Sequence, residues 1–396
     1  MREVAYVFER FPSFGQTFCY REVAELARQG WTPRIFSIRR PVDEPAERWN
    51  PAILEAVEYL PEENALVPAI ERTLRHDRSL AEVRKTIEAW GRQPDFLRLY
   101  QATYVGLRLR EAGITRVHAH FAGMATRTAY WLHKFFGVRY SFTAHANDIF
   151  APREFAIGLD KLVADSVAVV SVSDYGAEFL RRRFPAVSPK IVRIYNGIEL
   201  AAFLPATFPP GVASIVSVGR LIEKKGFTDL VTACAILKSR GVPLRCEIVG
   251  EGPLAPALQS QIDANGVGDV VRLVGAESQA QIAPRLAAAT VFALPCTTGK
   301  DGGMDNLPTV IMEAMAAGLP VVSTRLAGVP EMVREGITGT LVEPDSPNEF
   351  ADALLAFVRD PARARAFGAA GRELAQERFS VEGSVRELIE LFDRRD

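Results

Sequence analysis

The stretch Asp301-Gly-Gly-Met-Asp-Asn-Leu-Pro-Thr-Val-Ile-Met-Glu-Ala-Met-Ala-Ala-Gly-Leu-Pro320, followed by Val321-Val322, decides how the chain is read. It opens with acids and glycines, turns into an apolar helix, and stops on a Gly-Leu-Pro turn into a strand. Pro308 suits the first helical position, where a missing N–H costs nothing, and Asn306 or Asp305 suits the N-cap. Val310, Ile311, Ala314, Met315 and Ala317 form a buried stripe, ended by Gly318 with Pro320 beyond it. Such a helix aims its positive end and free N–H groups at the acidic, glycine-rich loop, a geometry that binds an anion. Glu313 stands among apolar neighbours, where a carboxylate needs a partner or a task.

Outward from this stretch, the chain alternates strands and helices. In the second half, strands are expected at 213–218, 244–249, 270–274, 290–294, 320–323 and 340–342, with helices at 226–239, 254–264, 278–288 and 307–317. In the first half, strands fall at 2–8, 32–38, 116–119, 139–143, 166–172 and 190–194. This alternation predicts two Rossmann-like domains, each a doubly wound parallel sheet, with ligands beyond the carboxyl ends of the strands and a cleft between the two. The expected boundaries are 1–205 for the first domain, with a helical insertion at about 40–112, and 206–378 for the second. A terminal helix at 379–396 is placed to cross back to the first domain.

Composition excludes little. The chain has 396 residues, 48% hydrophobic, with a net charge of −1, so bulk charge gives no reason to expect a nucleic-acid partner. Residues 1–200 hold 28 basic against 24 acidic side chains, a mild excess that permits peripheral membrane association and equally fits a solvated helix face. Four scattered cysteines fit reduced thiols in a cytoplasmic protein. No apolar run approaches the roughly 18–20 residues of a membrane span, and no signal segment opens the chain.

Several loops carry candidate chemistry. Arg220 and Lys225 are five apart in a strand-to-helix loop with Gly219 and Gly226, a pair of cations suited to a diphosphate or to a plain exposed loop. Gly250 and Gly252 follow the next strand and permit close approach of backbone to a ligand, or simply a turn. His145, with Asp148, ends a strand of the first domain, as a ligand-facing group or a passively packed one. His118 and His120 are read as pointing to opposite faces of their strand, and with no carboxylate or cysteine at ligand spacing a metal site is not expected.

Together these loops resemble one family, the retaining GT-B enzymes of glycosyltransferase family 4. The resemblance rests on Gly219-Arg220 with Lys224-Lys225-Gly226, on Gly250-Glu251-Gly252-Pro253 and on Asp305 through Gly318. It is supported by Asn196-Gly197-Ile198, by Thr143-Ala144-His145 and by Phe11–Phe18; the last two are similar to the bacterial exopolysaccharide and colanic-acid branch. The family signature is two glutamates separated by seven residues; the second is Glu313, and Asp305 stands where the first would be. Gly15-Gln16-Thr17 replaces the usual Ser-Glu-Thr, with Gly15 counted among the donor contacts.

The resemblance implies transfer of a hexose from a nucleotide-diphosphate sugar to a glycan, lipid-linked or small-molecule acceptor, without a metal or other cofactor. Arg220 and Lys225 would hold the diphosphate, Glu313 the donor ribose, and the backbone of Gly302, Gly303, Asn306 and Leu307 the sugar and phosphates. Asp305 and His145 would touch the transferred sugar, and Val274 would lie at the base. A sugar-nucleotide epimerase and a non-catalytic sugar-nucleotide-binding protein are the alternatives. A dinucleotide oxidoreductase would need Gly-x-Gly-x-x-Gly after the first strand, which Phe11–Phe18 lacks. The sequence does not fix the sugar, the base, the acceptor or the oligomeric state.

Overall fold

In the computed structural model, which describes residues 3–42, 49–151 and 154–394, two parallel sheets organise the chain. The first has seven strands: β1 (Glu3–Arg10), β2 (Thr32–Arg39), β3 (Val57–Tyr59), β4 (Arg116–His120), β5 (Arg139–Ala144), β6 (Ala168–Ser171) and β7 (Ile191–Arg193). Their order is β3-β2-β1-β4-β5-β6-β7. The second has six: β8 (Ala213–Val218), β9 (Leu244–Val249), β10 (Val271–Gly275), β11 (Val291–Leu294), β12 (Val321–Thr324) and β13 (Gly339–Val342), in the order β10-β9-β8-β11-β12-β13. The strands are apolar on both faces, as buried parallel strands require: Val4 to Val7 and Val291 to Leu294 are fully buried.

Chain direction across each sheet reverses on either side of its first strand. β1 lies between β2 and β4, and β8 between β9 and β11. A crevice therefore opens at the carboxyl ends of β1 and β4 in one sheet and of β8 and β11 in the other.

The chain divides into two units, Met1–Val172 with Ala177–Ile194, and Ser173–Gly176 with Tyr195–Asp396. The division falls at 194/195, upstream of the expected 205/206. The reason is local: Ile198 N–H donates to Phe379 O at 2.9 Å, Val381 N–H to Ile198 O at 3.0 Å, and Ala206 N–H to Ala317 O at 2.7 Å. The connecting segment is thus bonded into the second unit, and the last helix, Val381–Asp393, also groups there.

Two readings of the first half change. The strand β3 was not anticipated within the expected helical insertion at about 40–112, of which residues 43–48 lie outside the described residues. The helix Phe96–Ala112, expected inside an insertion, belongs to the core: Leu99, Ala102, Val105 and Leu109 are essentially fully buried. Its arginines hide the stripe, because Arg98 is itself buried. Among the described residues no helix is long and apolar enough to cross a membrane.

Candidate functional site

In the second unit, chemistry gathers where the order reverses. The loop after β8 is zipped to the loop after β9: Gly219 N–H donates to Val249 O at 2.9 Å and Leu221 N–H to Glu251 O at 2.8 Å. Gly250 N–H donates to Gly275 O at 2.8 Å, which draws in the end of β10, where Val274 lies. Gly252 is packed against the backbone of Leu221. A one-turn helix, Glu223–Lys225, then presents two lysines.

Those lysines meet Asp305. Lys224 Nζ lies 3.1 Å from Asp305 Oδ1, and Lys225 pairs with Oδ2. Burial pushes the Asp305 carboxyl up, but Lys225 and Lys224 outweigh it and hold the group below its ordinary range. Burial likewise disfavours the charged Lys225, and Asp305 raises it on balance. A further tie fixes the loop: Thr297 N–H donates to Lys224 O at 3.1 Å. Lys224 was quoted in the motif but given no role; two adjacent lysines ahead of a glycine were the signal.

The decisive helix spans Thr309–Ala316, with Pro308 at the N-cap rather than inside, and neither Asn306 nor Asp305 caps it. Ile311, Met312, Ala314 and Met315 are fully buried, each burial worth up to about 1.5–3 kcal/mol for the larger side chains. Glu313 is buried with them, at 6% exposure. Asn306 accepts a hydrogen bond from Ser173, also of the second unit, while its Nδ2 is buried with no hydrogen-bond partner. The N–H groups of Leu307, Thr309 and Val310 have no acceptor among the described residues. By contrast, Gly302 N–H donates to Gly299 O and Gly303 N–H to Asp301, both at 2.9 Å. These two amides close their own turn, so the anion-facing donors begin later than the sequence reading placed them. Arg220 is exposed and makes no ion pair among the described residues.

The first unit holds a second cluster at its own reversal. His118 and His120 do not face opposite sides. Residues two apart on a strand share a face, and their rings sit edge to face at 5.3 Å. The carboxylate absent from the local sequence arrives from the helix Thr17–Arg28: Glu22 Oε1 lies 3.1 Å from His120 Nε2 and accepts from the Tyr6 hydroxyl at 2.8 Å. The ligand atoms of Glu22, His118 and His120 all lie within 4.8 Å of one another, a set chemically able to hold a cation. The same side chains also contact protein groups. His118 bridges the hydroxyls of Ser141 and Thr143, at 2.8 and 3.0 Å, and His120 Nδ1 lies 3.2 Å from His145 Nε2.

His145 follows β5, 7% exposed, between the rings of Phe121 and Phe18 at 4.2 and 4.9 Å. Its N–H donates to Asp148 at 2.9 Å. Burial, and then the neighbouring His120 and His118, push His145 well below the usual range, so it is neutral. His120 moves the other way: burial opposes its charge, but Cys19 and Glu22 bring it up to about 10. Burial also raises Glu22, and His120 reverses the effect, holding it low. Gly15 sits in an exposed turn of the same unit, with open space at its Cα. All four cysteines are buried free thiols.

Both halves match known families. Residues 15–202 match the family described as Glycosyltransferase Family 4, and residues 206–374 match Glycosyl transferases group 1. The two halves thus carry glycosyltransferase family domains. It is 36% identical over 205 residues to a putative colanic acid biosynthesis glycosyltransferase, WcaL, of Escherichia coli, covering 51% of this chain and 50% of that protein. It is 38% identical over 162 residues to a GDP-mannose-dependent alpha-(1-6)-phosphatidylinositol monomannoside mannosyltransferase of Mycobacterium tuberculosis, covering 40% and 42%. The matched stretches span about half the length of these curated relatives. A glycosyltransferase from Rickettsia africae superposes with a TM-score of 0.73 at 18% identity, over 99% of this chain and 98% of its own. HepE of Anabaena, solved with UDP, gives 0.73 at 17% identity, over 99% of both chains. The fold of the chain is GT-B.

Proposed function

We propose that the protein transfers a hexose, with retention of anomeric configuration, from a nucleotide-diphosphate sugar to a hydroxyl of a growing glycan or lipid-linked glycan. The observation that carries this reading is the paired lysines on Asp305 beside unsatisfied N–H groups at the start of Thr309–Ala316. The WcaL and mannosyltransferase relatives support a sugar donor and a role in polysaccharide or glycoconjugate synthesis.

Breaking the bond between the anomeric carbon and the phosphate oxygen leaves negative charge on the departing diphosphate. Lys225, Lys224, Arg220 and the free N–H groups are fixed positive charge and dipole for that leaving group, supplying what a divalent ion would otherwise supply. The diphosphate competes with Asp305 for the lysines, which frees the carboxylate to meet the sugar. Glu313 takes the ribose hydroxyls. The acceptor oxygen attacks on the face that the phosphate leaves, and its proton passes to a phosphate oxygen. His145, neutral and held by His120, offers a hydrogen bond to a ligand at the carboxyl edge of the first sheet.

The test is incubation with a panel of UDP- and GDP-hexoses and glycan acceptors, following nucleoside diphosphate release and the anomeric proton of the product by NMR. One donor should give an axial-to-axial or equatorial-to-equatorial product, and Lys225→Ala should lower kcat/KM by about 100-fold. An inverted product, or turnover unaffected by Lys225→Ala, contradicts the reading.

A further inference from the structure

The first unit carries an unexplained buried charge. Arg98 is 6% exposed, and its Nη1 is sealed from solvent with no hydrogen-bond partner. The guanidinium makes no ion pair among the described residues. A buried, uncompensated cation is costly enough that proteins rarely keep one without use.

Its surroundings are basic. Asp95, whose backbone carbonyl accepts from Arg98 N–H at 2.8 Å, has its carboxylate 3.1 Å from Arg127 Nε. Arg127 is 2% exposed, and its guanidinium lies 3.5 Å over the Phe155 ring. Glu9 pairs with Arg39 at 3.5 Å. Arg39 and Arg10 are register partners at the carboxyl ends of β2 and β1, and Arg10 Nε is also buried without a partner. Arg98 also feels Asp95 and Glu9, so two carboxylates are shared among Arg98, Arg127 and Arg39 and positive charge is in excess. Burial, and next the nearby Arg127, push its guanidinium down to about 10, which a bound anion would relieve. One turn along the same helix, Gln101 Oε1 is buried and unpartnered as well.

The location is telling. These groups sit at the carboxyl edge of the first sheet, beside its order reversal, where ligands of such sheets bind. Arg127 also feels the Asp148 carboxylate that accepts from His145 N–H. We propose that Arg98 and Arg127 bind an anionic group, a phosphate or a carboxylate, carried by the acceptor. The word acceptor rests on the transferase reading; anion binding does not.

The experiment observes the side-chain Nε–Hε NMR signals of Arg98 and Arg127 in 15N-labelled full-length protein, assigned through Arg98→Gln and Arg127→Gln. The protein is titrated separately with inorganic phosphate and with glucuronate. A saturable shift of both signals with phosphate marks a phosphorylated acceptor, and with glucuronate an acidic sugar. Arg98→Gln should abolish the response of Arg127 while melting at or above the wild-type temperature, because it relieves an excess of buried positive charge. In the transfer reaction the same variant should raise the acceptor KM at least tenfold and leave the donor KM unchanged. No saturable shift with either anion overturns the proposal, as does a clear fall in melting temperature for Arg98→Gln, which would make Arg98 a structural cation. The titration needs no turnover, so its failure is separable from failure of the transferase reading.

Discussion

Glu22 shows how much one side chain can set at a distance. It reaches His120 and, through it, His145. Cys19 and then Glu22 hold His120 protonated in a buried site, and a protonated His120 donates through Nδ1 to His145 Nε2. The pH dependence follows from two directions of shift. His120 is raised from 6.5 to about 10, so its contribution to stability is complete below 6.5 and lost as pH rises through about 10. Glu22 is lowered from 4.5, so its contribution is present above 4.5 and lost as pH falls below that value. The melting-temperature penalty of Glu22→Gln should thus be largest between pH 4.5 and 6.5 and shrink toward pH 10. Thermal melts of both proteins across that range check it; a constant penalty would show that packing, not charge, is what Glu22 supplies. No local pattern revealed this residue. Glu22 is 98 positions from His120, and only the pairing of β1 with β4 brings them together.

At the scale of elements, the loop Gly219–Gly226 does most of the positioning. Gly226 has φ of 66°, and a Cβ there would run into the Pro295 carbonyl oxygen at the end of β11. Gly241 has nearly the same φ, 69°, but open space around it. Gly226→Ala should therefore cost at least about 2 kcal/mol, from left-handed strain plus the clash, against about 1 kcal/mol for Gly241→Ala. Urea midpoints of the two variants compare them, and equal losses would remove the clash from the account. Strands of the second sheet were legible because each is a short, mostly apolar run with Gly or Pro close to one end. The helical character of Phe96–Ala112 was legible but its place in the core was not, and β3 was not legible. A buried arginine, Arg98, breaks the polar–apolar contrast of the first, and the second is three residues long. Helix capping was misread for a similar reason: Pro308 fits either the cap or the first turn, and only its ψ of 106° decides.

At the scale of the molecule, each unit carries one site at the reversal of its own sheet order, and each site pairs charges that sequence separates. Lys224 and Lys225 meet Asp305 across 80 residues, and Glu22 meets the histidines of β4. Family motifs named Lys225, Asp305 and His145 because those lie in recurring loops. They did not name Arg98 or Glu22, whose partners are set by packing. The central claim is that the second unit binds a nucleoside diphosphate through the lysine pair. It is tested most directly by isothermal titration of UDP and of GDP into the wild type and into Lys224→Ala/Lys225→Ala. One nucleotide should bind the wild type at a single site, and the double variant should bind it about 100-fold more weakly, near 2.7 kcal/mol. Equal affinity of the two proteins, or no binding of either nucleotide to the wild type, would contradict the account.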